Sequence, residues 1–323
     1  GPEVFFSGCN LSQNMRSLAG CIGLVDSMRI GPDNGQRWRD YREEIARNES
    51  GSIITGPVRG TRLYFMHGRL WWNDPDPGYV RPSIPLKHAR LITSWVAISG
   101  QFNLNGDWIP GLPPERLEVL KRTTPHHGVT ARPVDYFDTS MPGIWLVTDT
   151  RHRVRRDVLG LFNWESNDQS IACTAARAGL DPEKTYFAFD FWDNTRLPSF
   201  KGRFQCEVPP TSCRVIAVRA DAGHPVLLST SRHVTQGIVD VTGETWRRGK
   251  LSATSKVVGN DPYELRIAGL DGGAKVWKLV SADVSASDQV AGVSVSCKES
   301  SGLLRVTIQS SQSRDVKWAL GFE

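Results

Sequence analysis

The runs Met28-Arg29-Ile30-Gly31-Pro32-Asp33 and Trp72-Asn73-Asp74-Pro75-Asp76-Pro77 decide how the first part of this chain is read. They lie about forty residues apart. Each follows an apolar stretch, Cys21-Ile22-Gly23-Leu24-Val25 and Thr61-Arg62-Leu63-Tyr64-Phe65-Met66, and each carries Gly or Pro where a strand has to break. The apolar stretches are therefore expected as strands, with Asp33, Asp74 and Asp76 on the loops that leave them. Asp74 and Asp76 stand at alternate positions of an extended, Pro-interrupted run, so their side chains are expected on one side. Helical signals sit between and after these runs. Residues 37–46 read as an exposed helix, and residues 87–98 as a buried one. Residues 114–122 open with Pro at a first helical turn and place Leu117 and Leu120 on one face. Strands joined to helices by Gly/Pro breaks are the βα pattern of a parallel sheet.

The pattern changes near Pro125. Beyond Ala131 come short alternating strands: Ile144–Val147, Val158–Trp164, Tyr186–Trp192 and Cys213–Arg219, which read as a β-sandwich. From about His224 a further strand-rich stretch follows, with Tyr263–Ile267, Lys275–Val280, Leu304–Ile308 and Val316–Leu320. The organisation expected is residues 1–130 as α/β, 131–222 as a β-sandwich and 223–323 as an additional β-rich module. A chain of 323 residues accommodates two domains, or three with one small β-domain.

At these residues a family resemblance is reached. The segment from Phe5 to Pro125 resembles the melibiase-type glycoside hydrolases, the α-galactosidases and their relatives. In that family an Arg-x-x-x-Asp run after one barrel strand carries the acid/base, and an Asp-Pro-Asp run after the next lines the sugar site. The resemblance implies the C-terminal half of a (β/α)8 TIM barrel followed by antiparallel β-sandwich domains. It implies Asp33 as the acid/base, Arg29 and Asp76 as sugar contacts, and Asp74 as a brace. The family often has Met after the second Asp of that run, where this chain has Pro77. Phe5-Phe6-Ser7-Gly8-Cys9-Asn10 looks like the preceding strand and its exit, which assigns Cys9 to the substituent at sugar position 2. A buried strand-end Cys reads equally well. Trp72 offers a stacking face for a sugar, although rim aromatics are as often core. Residues 99–108 resemble the last barrel strand and its loop, with Asp107 and Trp108 at the pocket edge.

The family's nucleophile is an Asp in a Lys-x-Asp run, and no such triplet precedes Asp33. Eight β/α units need roughly 250 residues, whereas residues 1–125 allow about four. The chain is therefore expected to be the C-terminal part of a larger enzyme. An N-terminal fragment of the same protein, or less simply a second copy of this chain, would complete the barrel and bring the nucleophile. The reading is a retaining glycosidase acting on terminal α-galactoside-type bonds. The alternatives are the same chemistry on α-N-acetylgalactosaminides or β-L-arabinopyranosides, and a non-catalytic carbohydrate-binding or scaffolding module.

Chemically, retaining glycosidases hold two carboxyl groups about 5–5.5 Å apart. A guanidinium close to Asp33 would depress the pKa of a group that must hold a proton, while neighbouring carboxylates push the other way. Arg29 is therefore expected to serve sugar hydroxyls and neighbouring carboxylates rather than Asp33 alone. From spacing alone, Arg29/Asp33 is an ordinary loop salt bridge and Asp74-Pro75-Asp76-Pro77 an ordinary turn.

Composition is that of a globular protein, with 39% hydrophobic and 23% charged residues and a diffuse net charge of +5. The densest basic run, Arg151-His152-Arg153-Val154-Arg155-Arg156, has no interleaved aromatics and reads as a solvated hairpin rather than a nucleic-acid site. No run approaches the ~18 apolar residues of a membrane span. The six cysteines form no Cys-x-x-Cys pair, and His126-His127 lacks the spacing of a helical metal face, so neither metal nor cofactor is expected. Whether Cys206 and Cys213 bridge is left open. There is no Gly-x-Ser-x-Gly elbow.

Overall fold

The computed structural model describes residues 4–9, 19–47, 51–272 and 275–323. Three short strands, β1 (Ser7–Gly8), β2 (Ser27–Arg29) and β3 (Trp72–Asp74), form one sheet in that order. Both pairings are parallel, with Ser27 opposite Ser7 and Trp72, and Arg29 opposite Asp74. β3, and all of β2 but Ser27, lie inside the two deciding runs rather than before them. The apolar stretch 21–24 is a turn, and Thr61–Met66 is the end of helix α2 (Thr55–Arg62) followed by a 3-10 turn over Tyr64–Met66. The reason is visible in what is buried. Ser27, Asn73 and Asp74 are all inside, so the sheet's interior here is polar and hydrophobic periodicity points away from it. Asn73 reaches the helix end instead, its Nδ2 donating to the Leu63 carbonyl at 2.9 Å.

Helix α1 spans Tyr41–Arg47, shorter than expected at its start. The Asp40 carboxylate accepts the Arg42 N–H at 2.7 Å, which ends the helix there, and Arg37 pairs instead with Ser52 in a parallel bridge. Helix α3 (Leu86–Ser99) is buried along most of its length. It stops at Gly100, whose φ of 75° lets its N–H turn back to the Val96 carbonyl. The chain then runs beside β3, where the Phe102 N–H donates to the Asn73 carbonyl at 2.9 Å and Asn105 bridges Gly78. Helix α4 (Pro114–Thr123) buries Arg116, Val119, Arg122 and Thr123, while Leu117 and Leu120 are only half-buried. The shift follows from Arg116, which donates to the carbonyls of Val80 and Ile84 at 3.2 and 2.8 Å. No described helix is long and apolar enough to cross a membrane.

Beyond Ala131 the pairing is antiparallel. One six-stranded sheet has the spatial order Arg132–Pro133, Ile144–Asp149, Arg156–Asn163, Ser212–Ala220, Thr185–Asp190, Thr195–Lys201. Two four-stranded sheets follow. The first is ordered Val226–Thr230, Tyr263–Ala268, Leu303–Gln309, Ser294–Ser300, and the second Val241–Arg247, Lys250–Val257, Arg314–Phe322, Leu279–Val284. Leu265, Ile267, Val306 and Ile308 of the first share a buried core with Leu251, Val316, Trp318 and Leu320 of the second. That is a sandwich, and each such side chain is worth roughly 1.5–3 kcal/mol of burial. The expected strand over Lys275–Val280 is split, Lys275–Val276 pairing with Asp271–Gly272 and a separate strand starting at Leu279. None of the six cysteines, Cys206 and Cys213 among them, stands in a disulfide. By compactness the chain divides into two units. One holds residues 1–146, 160–171 and 206–213, and the other residues 147–159, 172–205 and 214–323.

Candidate functional site

Arg29 is the last residue of β2, and its guanidinium joins the carboxylates of both deciding runs. Nη2 lies 2.9 Å from Asp33 Oδ1, and Nη1 lies 2.6 Å from Asp76 Oδ1. The two carboxylates differ sharply in setting: the Asp33 side chain is 86% exposed, that of Asp76 only 7%. Asp76 sits at φ 74°, in the left-handed region that Asp tolerates better than most residues. Its N–H donates to Asp74 Oδ1 at 2.8 Å, closing a turn of the Asx kind. Asp74 and Asp76 therefore do not alternate along an extended strand. Asp74 turns inward to hold the backbone, and Asp76 faces Arg29.

Sequence reasoning passes over Asn34, the residue that ties this turn to its surroundings. The Asn34 N–H donates to Asp76 Oδ2 at 2.5 Å, and its Nδ2 donates to the carbonyls of Pro75 and Pro77 at 3.0 and 3.2 Å. Its Oδ1 accepts the Gly56 N–H at 2.7 Å. Gly56 opens α2 against the same turn so closely that a Cβ there would stand 2.2 Å from the Pro75 oxygen. Gly35, next to Asn34, makes a similar close approach, since a Cβ there would meet the Gly51 carbonyl at 1.9 Å. The loop after β2 is thus pinned by backbone contacts that side-chain chemistry does not announce.

Burial pushes the Asp76 carboxyl up to about 6. The Asn34 N–H and Arg29 pull against burial, while the charges of Asp33 and Asp74 add to it. Asp74 is also raised by burial, against the Asp76 N–H and Arg29. The Tyr79 phenol is raised too, by burial first and then by the charge of Asp76. A carboxyl group near 6 gains and loses its proton close to neutrality, and a guanidinium beside it can hold oxygen ligands in a fixed fork.

The other expected site residues are placed as follows. Cys9 directly follows β1 and is exposed. Trp72 begins β3 and is partly exposed, and its ring meets the edges of His67 and His126 at centroid distances of 5.1 and 5.0 Å. Asp107 is occupied as a loop brace, accepting the Val80 N–H and Arg81 Nε, each at 2.5 Å. Trp108 is 79% exposed. His126 and His127 each accept a backbone N–H two residues on, from Gly128 and Val129. Arg29, Asp33, Asp74 and Asp76 are thus brought together, and Trp72 is drawn to the histidines instead.

The histidines and Asp76 set opposing pH dependences. Burial, aided by His126, lowers His67 to about 4, and burial with Lys87 nearby lowers His88 to about 4. Between pH 6.5 and 4 the unfolded chain takes up protons that the native histidines refuse, so stability falls as pH falls. Asp76 acts in the reverse sense, because its native form binds a proton below about 6 that the unfolded chain does not bind until about 3.8. Asp76→Asn removes this opposing term. The loss of urea midpoint between pH 7 and pH 5 is therefore expected to be larger in Asp76→Asn than in the wild type; a smaller loss would contradict a raised Asp76.

No family model matches the chain. Solved structures do resemble it. The α-galactosidase I of Mortierella vinacea matches with a TM-score of 0.51 at 15% identity, over 67% of this chain and 58% of that one. The α-galactosidase of Saccharomyces cerevisiae, solved with raffinose, gives 0.51 at 15% over 67% of this chain and 64% of that one. A GH27 β-L-arabinopyranosidase from Geobacillus stearothermophilus gives 0.50 at 14% over 62% and 46%. At these identities the likeness is one of fold, and the fold is melibiase-type. The chain spans between 46% and 64% of the length of these three structures.

Proposed function

We propose that this chain contributes the acid/base side of a glycosidase site that cleaves terminal α-galactoside-type bonds with retention. The observation that carries the reading is Arg29, which links Asp33 and Asp76 at the C-terminal ends of neighbouring parallel strands, where an α/β barrel concentrates its chemistry. In this reading Asp33 protonates the leaving oxygen and then activates water, and Asp76 and Arg29 hold sugar hydroxyls. Asp74 keeps the turn in shape, and Cys9 borders the substituent at sugar position 2. Trp72, 37% exposed, offers a stacking face for the sugar in this reading.

The nucleophile is assigned to none of the described residues. Residues 1–130 would be the C-terminal half of the barrel, residues 131–222 the sandwich and 223–323 an added β-module. Among the described residues β1 is an edge strand, and Val4, Phe5 and Phe6 beside it are each more than half exposed, which supports a completing segment. An N-terminal portion of the same protein is the proposed partner there, because it would supply the nucleophile and cover the edge together. α-N-Acetylgalactosaminides and β-L-arabinopyranosides remain the competing substrates. Sugar binding without catalysis is the second reading, and the exposure of Asp33 favours it, since a general acid is usually shielded.

The test is a panel of glycosides assayed on the intact protein and on its Asp33→Asn variant. The variant is expected to lose about 10²–10⁴-fold on alkyl galactosides with poor leaving groups and far less on activated aryl galactosides, which need little protonation. Equal losses on both would remove Asp33 from the acid role. Binding of galactose with no turnover of any glycoside by the wild type would favour the second reading.

A further inference from the structure

The basic run Arg151-His152-Arg153-Val154-Arg155-Arg156 turns between the strands Ile144–Asp149 and Arg156–Asn163, as a hairpin should. It is more than a solvated turn. Arg151, His152, Arg153, Val154 and Arg156 wall one side of a cavity of about 310 Å³, faced by Gly243 and Glu244 among others on the strand Val241–Arg247. A register shift between Thr242 and Thr245, with Gly243 at φ 65°, takes that strand out of its ladder at this point.

The charges at this cavity do not cancel. Glu244 accepts from two buried guanidiniums at once, Arg156 through Nη2 and Arg219 through Nη2 at 2.9 Å. Three arginines, Arg151, Arg153 and Arg156, line the cavity against one carboxylate, Glu244. The Arg156 side chain is 5% exposed, and its Nη1 has no hydrogen-bond acceptor among the described residues. Arg155 is clamped by Asp157, and Arg151 uses Nε and Nη2 on Asp149 at 2.9 and 3.1 Å, leaving its Nη1 uncommitted. Arg153 is exposed and forms no hydrogen bond or ion pair with the described residues. A solvated turn requires none of these: a recess, a buried cationic base and an uncommitted arginine at the rim.

We infer that this cavity binds a compact oxyanion, a phosphate group either free or as the monoester of a sugar. Arginine forks match phosphate oxygens in pairs. Arg153 and the free edge of Arg151 grip the oxygens, and Arg156 in the cavity lining adds to the attractive field. The volume leaves room for a hexose beside the phosphate. The inference does not rest on the glycosidase reading.

Calorimetric titrations of the full chain, at constant ionic strength, test it with inorganic phosphate, glucose 6-phosphate and glucose. Both phosphate-bearing probes are expected to bind saturably and glucose not at all. Tighter binding of the monoester would identify a sugar phosphate as the source, and equal binding a free phosphate. Arg153→Ala is expected to weaken binding about tenfold with an unchanged thermal midpoint, since Arg153 holds no partner among the described residues. Arg203→Ala, which removes the same charge outside the cavity lining, should leave it unchanged. Absence of saturable binding, or equal weakening by the two variants, would overturn the inference.

Discussion

Arg29→Met is expected to cost about 3–5 kcal/mol of stability at pH 7, because it strands the Asp76 carboxylate in a buried position without its cation. The cost comes almost wholly from Asp76. The contact to Asp33, with an 86% exposed side chain, is of the surface kind worth about 0–1 kcal/mol. The penalty should shrink at pH 5, where a carboxyl held near 6 takes up a proton and no longer needs the guanidinium. Arg29→Met with Asp76→Asn should recover most of the loss, since neither member is then charged. Arg29→Lys should not rescue, because one ammonium cannot span two carboxylates as the planar fork does. Urea unfolding of the set at both pH values measures all of this. A single-variant cost below about 1 kcal/mol would mean that water screens the Asp76 pair.

Glu244→Gln is the second large effect. Burial alone would raise this carboxyl, yet Arg219 and Arg156 outweigh it and hold it below its usual range. Removing the charge takes from two buried guanidiniums the carboxylate they share, at a cost of about 3–5 kcal/mol. The triple replacement Arg156→Met, Arg219→Met, Glu244→Leu is expected to unfold within about 2 kcal/mol of the wild type, because it removes the desolvation cost of all three groups. If the triple variant were as unstable as Glu244→Gln, the stability would reside in bonds such as that from Arg219 Nη1 to the Arg155 carbonyl rather than in the charges.

How much of this was legible in the sequence differed by element. The long amphipathic helices were readable, and α3 matches its expected span nearly residue for residue because its apolar faces and the Gly100 stop agree. The antiparallel strands were readable for the same reason, with Tyr263–Ala268 and Leu303–Gln309 alternating about a true core. The parallel strands were not. Ser27, Asn73 and Asp74 are buried polar residues in strands three residues long, so the periodic signal fell on turns and helix ends beside them. The candidate site was legible as motif chemistry: the Arg29 and Asp76 side chains meet. Its scaffold was not, because Asn34 works through backbone groups of Pro75, Pro77 and Gly56, and no residue type advertises such contacts. The turn at Asp76 was legible from the Asp-Pro spacing, but not that it sends Asp74 and Asp76 to different partners, which the φ of 74° and the Asp74 hydrogen bond bring about.

The division of the chain has a consequence for how it can be cut and recombined. The two compact units exchange the chain at 146/147, 159/160, 171/172, 205/206 and 213/214. A fragment ending at any one of these points carries an incomplete share of at least one unit and strands unpaired backbone from it. Neither unit can therefore be copied, transplanted or fused as a single stretch of gene. Natural shuffling, like deliberate engineering, must move the two together or not at all, with its joints outside residues 147–213.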